Sequence, residues 1–179
     1  MKKNVLTSVT VSLAAAAMIS GTAMAAEYKV GIIQFVDDAS LNQIEQNIEK
    51  ELIAKSEEGG DTYVFDGYVY NGQADSTTLN QITTQLLDDG VDVIVPIATP
   101  AAQIVQAATE DNQIPVVFSA VSDPVGAGLA ESMDAPGANI TGTSDALNTN
   151  AILDLMFVAN PDIKKVGLLY SQSEDSSKK

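Results

Sequence analysis

The stretch VVFSAVSDPVGAG, residues 116–128, leaves an apolar run for two serines, one acid and a proline, with no basic residue beside them. Ser119, Ala120 and Ser122 are small enough to let another molecule approach the backbone. Asp123 brings a carboxylate that can pair with an ammonium group. Asp before Pro124 is also a common turn initiator, so the same acid serves equally well as a turn cap. A second stretch, ATPAAQ, starts at Ala98. Thr99 is expected at a helix N-cap and Pro100 at the first helical position, where its missing N–H costs nothing. The N–H groups of Ala101 and Ala102, with the Thr99 hydroxyl, would then face a carboxylate at the positive end of the helix dipole. The same residues also make a good helix start with no ligand at all. Gln34 and Phe35 close an earlier apolar run, and Phe35 either flanks a ligand side chain or belongs to the core. Asp145 is a further acid available to an ammonium, whereas Asp37 and Asp38 read as caps or solvated acids as readily as ligands.

Several chemistries are excluded by what the chain lacks. It has no Cys and no His, which removes disulfides, thiolate and imidazole nucleophiles, a Ser-His-Asp triad and the usual zinc or copper sites. Twenty-four acids against nine bases give a formal charge of −15, and no basic stripe exists to meet nucleic acid. No Gly-rich phosphate motif and no ordered calcium-loop spacing occurs, so no cofactor and no metal are expected. With acids but no bases among the candidate residues, a phosphorylated ligand has no charge-assisted partner, whereas a small zwitterion such as an amino acid fits.

These residues need elements to hold them. YKVGIIQF reads as a strand, and DDASLNQIEQNIEKELIAK puts Leu41, Ile44, Ile48 and Leu52 on one helical face with Asp38 or Ser40 as cap. DTYVFDGYVYN reads as a second strand. In DSTTLNQITTQLLDDG, Leu79, Ile82 and Leu86 point inward, Asp75 or Ser76 caps the start, and Gly90 stops the helix. VDVIVPIA, IPVVFSA and a looser NITGTSD are further strands, with the helix TPAAQIVQAATEDN between the first two. The alternation predicts an α/β chain with a Rossmann-like, doubly wound parallel sheet and right-handed crossovers.

In such a sheet ligands bind beyond the carboxyl ends of the strands. That edge gathers residues 34–37, 98–100, 119–124 and 143–145. After Asp145 the sequence begins a new unit: a helix capped by Thr149 that buries Ile152, Leu155 and Met156, then a strand KKVGLLYS followed by residues 171–174. At the other end, MKKN and a charge-free run closing on Ala23-Met24-Ala25 have the pattern of a secretory signal cleaved after Ala25, an uncleaved anchor being the alternative. The expected division is a leader at 1–25, a first lobe at 26–145 and the beginning of a second lobe at 146–179.

Together, KVGIIQFVDDASL, IVPIATPAAQ, IPVVFSAVSDPVGAGL and PGANITGTSD resemble the extracytoplasmic substrate-binding proteins of ABC importers, in the TrpX-like family of tryptophan- and tyrosine-binding receptors. The resemblance runs over residues 28–174. It implies a type I periplasmic-binding fold, in which two Rossmann-like lobes close on a ligand by a hinge. It also implies an ABC permease and its ATPase as partners. Carried over by motif, Gln34, Ala98, Thr99, Pro100, Ser119, Ala120, Ser122, Asp123 and Asp145 line the cleft from the first lobe and hinge. Ser171, Ser173 and Glu174 correspond to the first binding loop of the second.

The expected function is therefore an exported solute-binding protein for an amino acid or similar zwitterion, and not an enzyme. The competing reading is a secreted single-lobe α/β enzyme using Asp37, Asp123 or Asp145 as acid or base, which lacks a nucleophile-base pair. A sugar-binding transcriptional regulator shares the fold, yet the acidic charge and absence of a helix-turn-helix oppose it.

Overall fold

Val30, Ile32 and Ile33 are buried to 2% exposure or less, because the strand carrying them has partners on both sides and layers on both faces. In the computed structural model, which describes residues 25–172, this is β1 (Glu27–Gln34). It is followed by α1 (Ala39–Gly59), β2 (Thr62–Val64), β3 (Val69–Asn71), α2 (Ser76–Asp88), β4 (Val93–Ile97) and α3 (Thr99–Thr109). β5 (Val116–Val121), β6 (Ile140–Ser144) and α4 (Thr149–Ala159) complete the order. The expected leader lies, apart from Ala25, outside the described residues.

Every pairing is parallel, in the order β2-β1-β4-β5-β6, with β3 also on β1. The doubly wound α/β reading therefore holds. Leu79, Ile82 and Leu86 of α2 and Ala101, Ala102 and Val105 of α3 pack on one face with Ile94, Val116 and Phe118. Leu41, Ile44, Ile48 and Leu52 of α1 are half-buried on the other face against Val30, Ile32 and Ile97. Asp38 caps α1 by accepting from the Ser40 and Leu41 N–H groups, and Asp75 caps α2 by accepting from Thr78. Gly90, at φ 66°, follows the end of α2 as its composition predicts.

Four elements differ from expectation. DTYVFDGYVYN forms two short strands, because Gly67 takes a φ of 85° and Tyr68 N donates back to Phe65 O, turning the chain between them. Thr99 is the first helical residue of α3 and not its cap; Ala98 occupies the cap at φ 81° and ψ 154° with no side-chain bond. Residues 163–171, which include KKVGLLYS, form no strand. A lone strand is unstable without a neighbour to complete its ladder, and here Leu168, Leu169 and Tyr170 are exposed. In the same way α4 is capped by Asn148 in place of Thr149 and has no buried residue, Ile152 and Leu155 being exposed and Met156 half-buried.

β4 holds Pro96 in the middle of the sheet, paired in register with Ile33. Ile94 N donates to Pro115 O and Ala98 N to Ser119 O, so Pro96, which has no N–H, leaves one rung out between them.

Candidate functional site

Because all strands run the same way, their carboxyl ends share one edge, and backbone bonds stitch the loops that leave it. Gly72 N donates to Gln34 O, Ala74 N to Phe35 O, Phe35 N to Ile97 O, Ala98 N to Ser119 O and Asp145 N to Val121 O. The edge thus brings together Gln34, Phe35, Ala98, Thr99, Pro100, Ser119, Ala120, Ser122, Asp123 and Asp145 in one row. Ser171 follows α4 and the irregular segment and is half-buried. Ser173 and Glu174 lie outside the described residues.

Placement in the row does not give every member access to a ligand. Gln34 is 2% exposed, and its Nε2 donates to Val36 O and to Asn42 Oδ1; its donors serve the protein. Ala101 is fully buried and Thr99 is 3% exposed, while Ala102 N donates to Ala98 O. Of the carboxylate cradle expected from Ala101, Ala102 and the Thr99 hydroxyl, the Ala102 N–H is thus engaged within the helix and the Ala101 and Thr99 side chains are buried. With Ala98 at the cap, α3 begins one residue earlier than expected. Ala98 and Pro100 remain half-buried at the mouth.

The β5 segment behaves differently. Ala120 has a φ of 54°, and the β5–β6 register shifts between Phe118 and Val121. This bulge re-aims the end of the strand, so that Ser119, Ala120 and Ser122 stay half-buried at the edge. Ser119 Oγ lies 3.4 Å from Thr143 Oγ1, and Ser144 Oγ donates to Ser122 O. Asp123 Oδ1 accepts from Gly126 N at 2.9 Å and its carbonyl from Ala127 N, which is the turn-capping role. Asp145 is exposed beside it in the row. Phe35 is half-buried against the α2–α3 side of the core.

Sequence reasoning missed the loop after β3. Asn71 Oδ1 accepts from Gln73 N, and Gln73 and Ala74 both adopt φ 54°. An added Cβ at Gly72 would come within 2.3 Å of Leu79 Cδ2, so the loop passes close over α2. The Asn-Gly pair after the strand-forming Tyr68-Val69-Tyr70 was the available signal. Asn42, one turn into α1, was missed as well.

Among the described residues the mouth carries Asp37, Asp38, Asp75, Asp123 and Asp145 and no base, whereas Lys29 sits at the opposite end of β1, donating to Asp89 O with its Nζ 5.9 Å from the Tyr68 ring centroid. Its field therefore favours a cation or the ammonium end of a zwitterion. Among the described residues no cluster of acids is arranged to hold a metal ion, and no helix is long and apolar enough to cross a membrane. A separate apolar groove of about 640 Å³ runs between α1 and the strands, lined by Ile44, Ile48, Leu52, Val93, Val95 and Val117 with Ser119 and Thr143 at one end.

A parallel open sheet with small, hydroxyl and acidic residues gathered at its carboxyl edge defines a Rossmann-like α/β lobe, and that edge is where such sheets take small molecules. Residues 29–179 match the family of ABC transporter substrate binding proteins, and the chain belongs to that family. It is 39% identical over 149 residues to a tyrosine-binding protein of Clostridioides difficile (strain R20291), covering 83% of this chain and 42% of the relative. A conserved domain protein of Vibrio cholerae superposes with a TM-score of 0.78 at 34% identity, covering 84% of this chain and 50% of the other. An ABC domain in complex with L-Trp from Streptococcus pneumonia superposes with a TM-score of 0.77 at 35% identity, covering 86% and 50%. The chain thus spans about half the length of these relatives or less.

Proposed function

We propose that this chain is the solute-binding component of an ABC importer, exported from the cytoplasm, and that it takes a small zwitterion, an aromatic amino acid foremost. The observation that carries the reading is the single edge that, among the described residues, collects five acids and no base beside Ser119, Ala120 and Ser122. The tyrosine-binding relative and the L-Trp complex support the ligand class. Residues 26–145 act as the first lobe, and 146–179 open the second.

Asp145 is the proposed partner of the ligand ammonium, with Ser119 and Ser122 offering hydroxyls and Phe35 an aromatic face. Binding, closure and delivery to a permease and its ATPase are the whole task, without covalent chemistry. The absence of His and of a nucleophile-base pair supports this over catalysis.

The test is a titration of residues 26–179 with L-tryptophan and L-tyrosine by calorimetry and amide chemical shifts. The described lobe covers a ligand from one side only, so dissociation constants weaker than about micromolar are expected. Shifts confined to the mouth would support the site. Micromolar or tighter binding would overturn the expectation of weakness, and no shift with either amino acid would remove the aromatic reading.

A further inference from the structure

We propose that Gln34, Asn42 and Asp37 form a directed clamp that sets the loop between β1 and α1 for ligand binding, with Gln34 a positioning residue and not a ligand contact. The proposal deepens the solute-binding reading above and rests on it.

Gln34 ends β1, Asn42 lies in the first turns of α1, and Asp37 stands in the loop that joins them. Gln34 Nε2 donates to Val36 O at 2.6 Å and to Asn42 Oδ1 at 2.5 Å. Asn42 Nδ2 donates in turn to Asp37 Oδ1 at 2.8 Å. The strand, the helix and the loop are thereby joined by a chain in which each amide nitrogen gives to the next oxygen. Direction makes position 42 demanding: one atom must accept from Gln34 while another donates to Asp37. An aliphatic residue does neither, and a carboxylate accepts but sets a like charge against Asp37. Gln34, almost wholly buried with its N–H groups engaged, has no donor to spare for a ligand.

What the clamp holds is functional surface. The loop carries Phe35 and Val36, and its backbone is stitched to neighbouring mouth loops through Phe35 N to Ile97 O and Ala74 N to Phe35 O. Asn42 N also donates to Asp38 O, so the helix start, its cap and the clamp move as one piece. Loosening the clamp lets the aromatic wall of the mouth drift, and a displaced positioning group costs affinity with no lost contact.

The experiment uses the full chain, isotopically labelled, as wild type, Asn42→Asp and the double variant Asp37→Asn/Asn42→Asp. Amide hydrogen exchange at Phe35 and Ala74, whose N–H groups donate to Ile97 O and Phe35 O, reads the loop, shift titration with L-tryptophan and L-tyrosine reads the site, and a urea midpoint reads global stability. Asn42→Asp is expected to speed loop exchange and weaken binding about tenfold, in the range of coupling between touching polar groups. In the double variant the new carboxylate accepts from both amides, so exchange and affinity return to within about twofold of wild type. A purely structural role would instead make both readouts follow the urea midpoint. Wild-type behaviour of Asn42→Asp, or a double variant no better than it, would overturn the proposal. If the wild type responds to neither amino acid, the ligand reading fails, and exchange at Phe35 and Ala74 in the same variants still decides the clamp.

Discussion

Asp38 and Asp75 each hold a helix start together with a single carboxylate, and both carboxyls sit below their ordinary value. For Asp38 the cause is first the Ser40 side chain and then the Ser40 and Leu41 N–H groups; for Asp75 it is the Thr78 N–H and then the Thr78 hydroxyl. A carboxyl depressed by folding binds fewer protons folded than unfolded, so its contribution is complete above the ordinary value near 3.8 and fades as pH falls through the folded one. Asp75→Ala should therefore lower the melting temperature by a few degrees at neutral pH. The gap to wild type should narrow in scans taken progressively below pH 3.8. Glu45 runs the opposite way: partial burial, then Glu49 and Asp37, push its carboxyl up. Its share of the stability is thus unfavourable at neutral pH and relieved in acid. Ala98 tests a different force. Its φ of 81° with ψ 154° is a region that only glycine enters freely. Ala98→Gly should stabilise the fold by about 1 kcal/mol, the relief exceeding the added chain entropy, and a urea midpoint that falls would refute it.

Among the elements, β6 is secured by a glycine. A Cβ at Gly142 would lie 2.1 Å from Phe118 O, a backbone atom that cannot step aside while β5 is paired. Gly142→Ala should strip β6 from the sheet and cost more than 2 kcal/mol, within the range of forced core overpacking, seen as a lowered urea midpoint. Leu86→Ala, which empties a fully buried position under Gly31, should cost about 2 to 5 kcal/mol by the same measurement. The helices α1 and α2 and the order of the major strands were legible in the sequence, because periodicity, caps and Gly90 are local signals that tertiary contacts only reinforce. The split at Gly67 was not, since a glycine in a run of aromatic and β-branched residues states freedom without stating its use. KKVGLLYS misled for the converse reason: strand propensity is a fit to neighbours, and the described residues supply none.

At the scale of the molecule, the row of mouth residues was readable from the parallel fold alone, which dictates that strand ends carry the site. Which members face the ligand was not readable. The burial of Ala101 and Thr99 depends on a one-residue shift at Ala98, and the inward turn of Gln34 depends on Asn42, eight residues away. Asymmetry of cover is the other whole-molecule fact: α2 and α3 close one face of the sheet, while α1 leaves the groove beside Val93, Val95 and Val117 open. The missing rung at Pro96 lies on that same line, between β4 and β5. The molecule thus has a seam, with a β2-β1-β4 piece and a β5-β6 piece meeting along an incomplete ladder. A chain cut in the exposed turn around residues 110–113 should yield two fragments that recognise each other, and their reassembly would mark where one folding unit ends and the next begins.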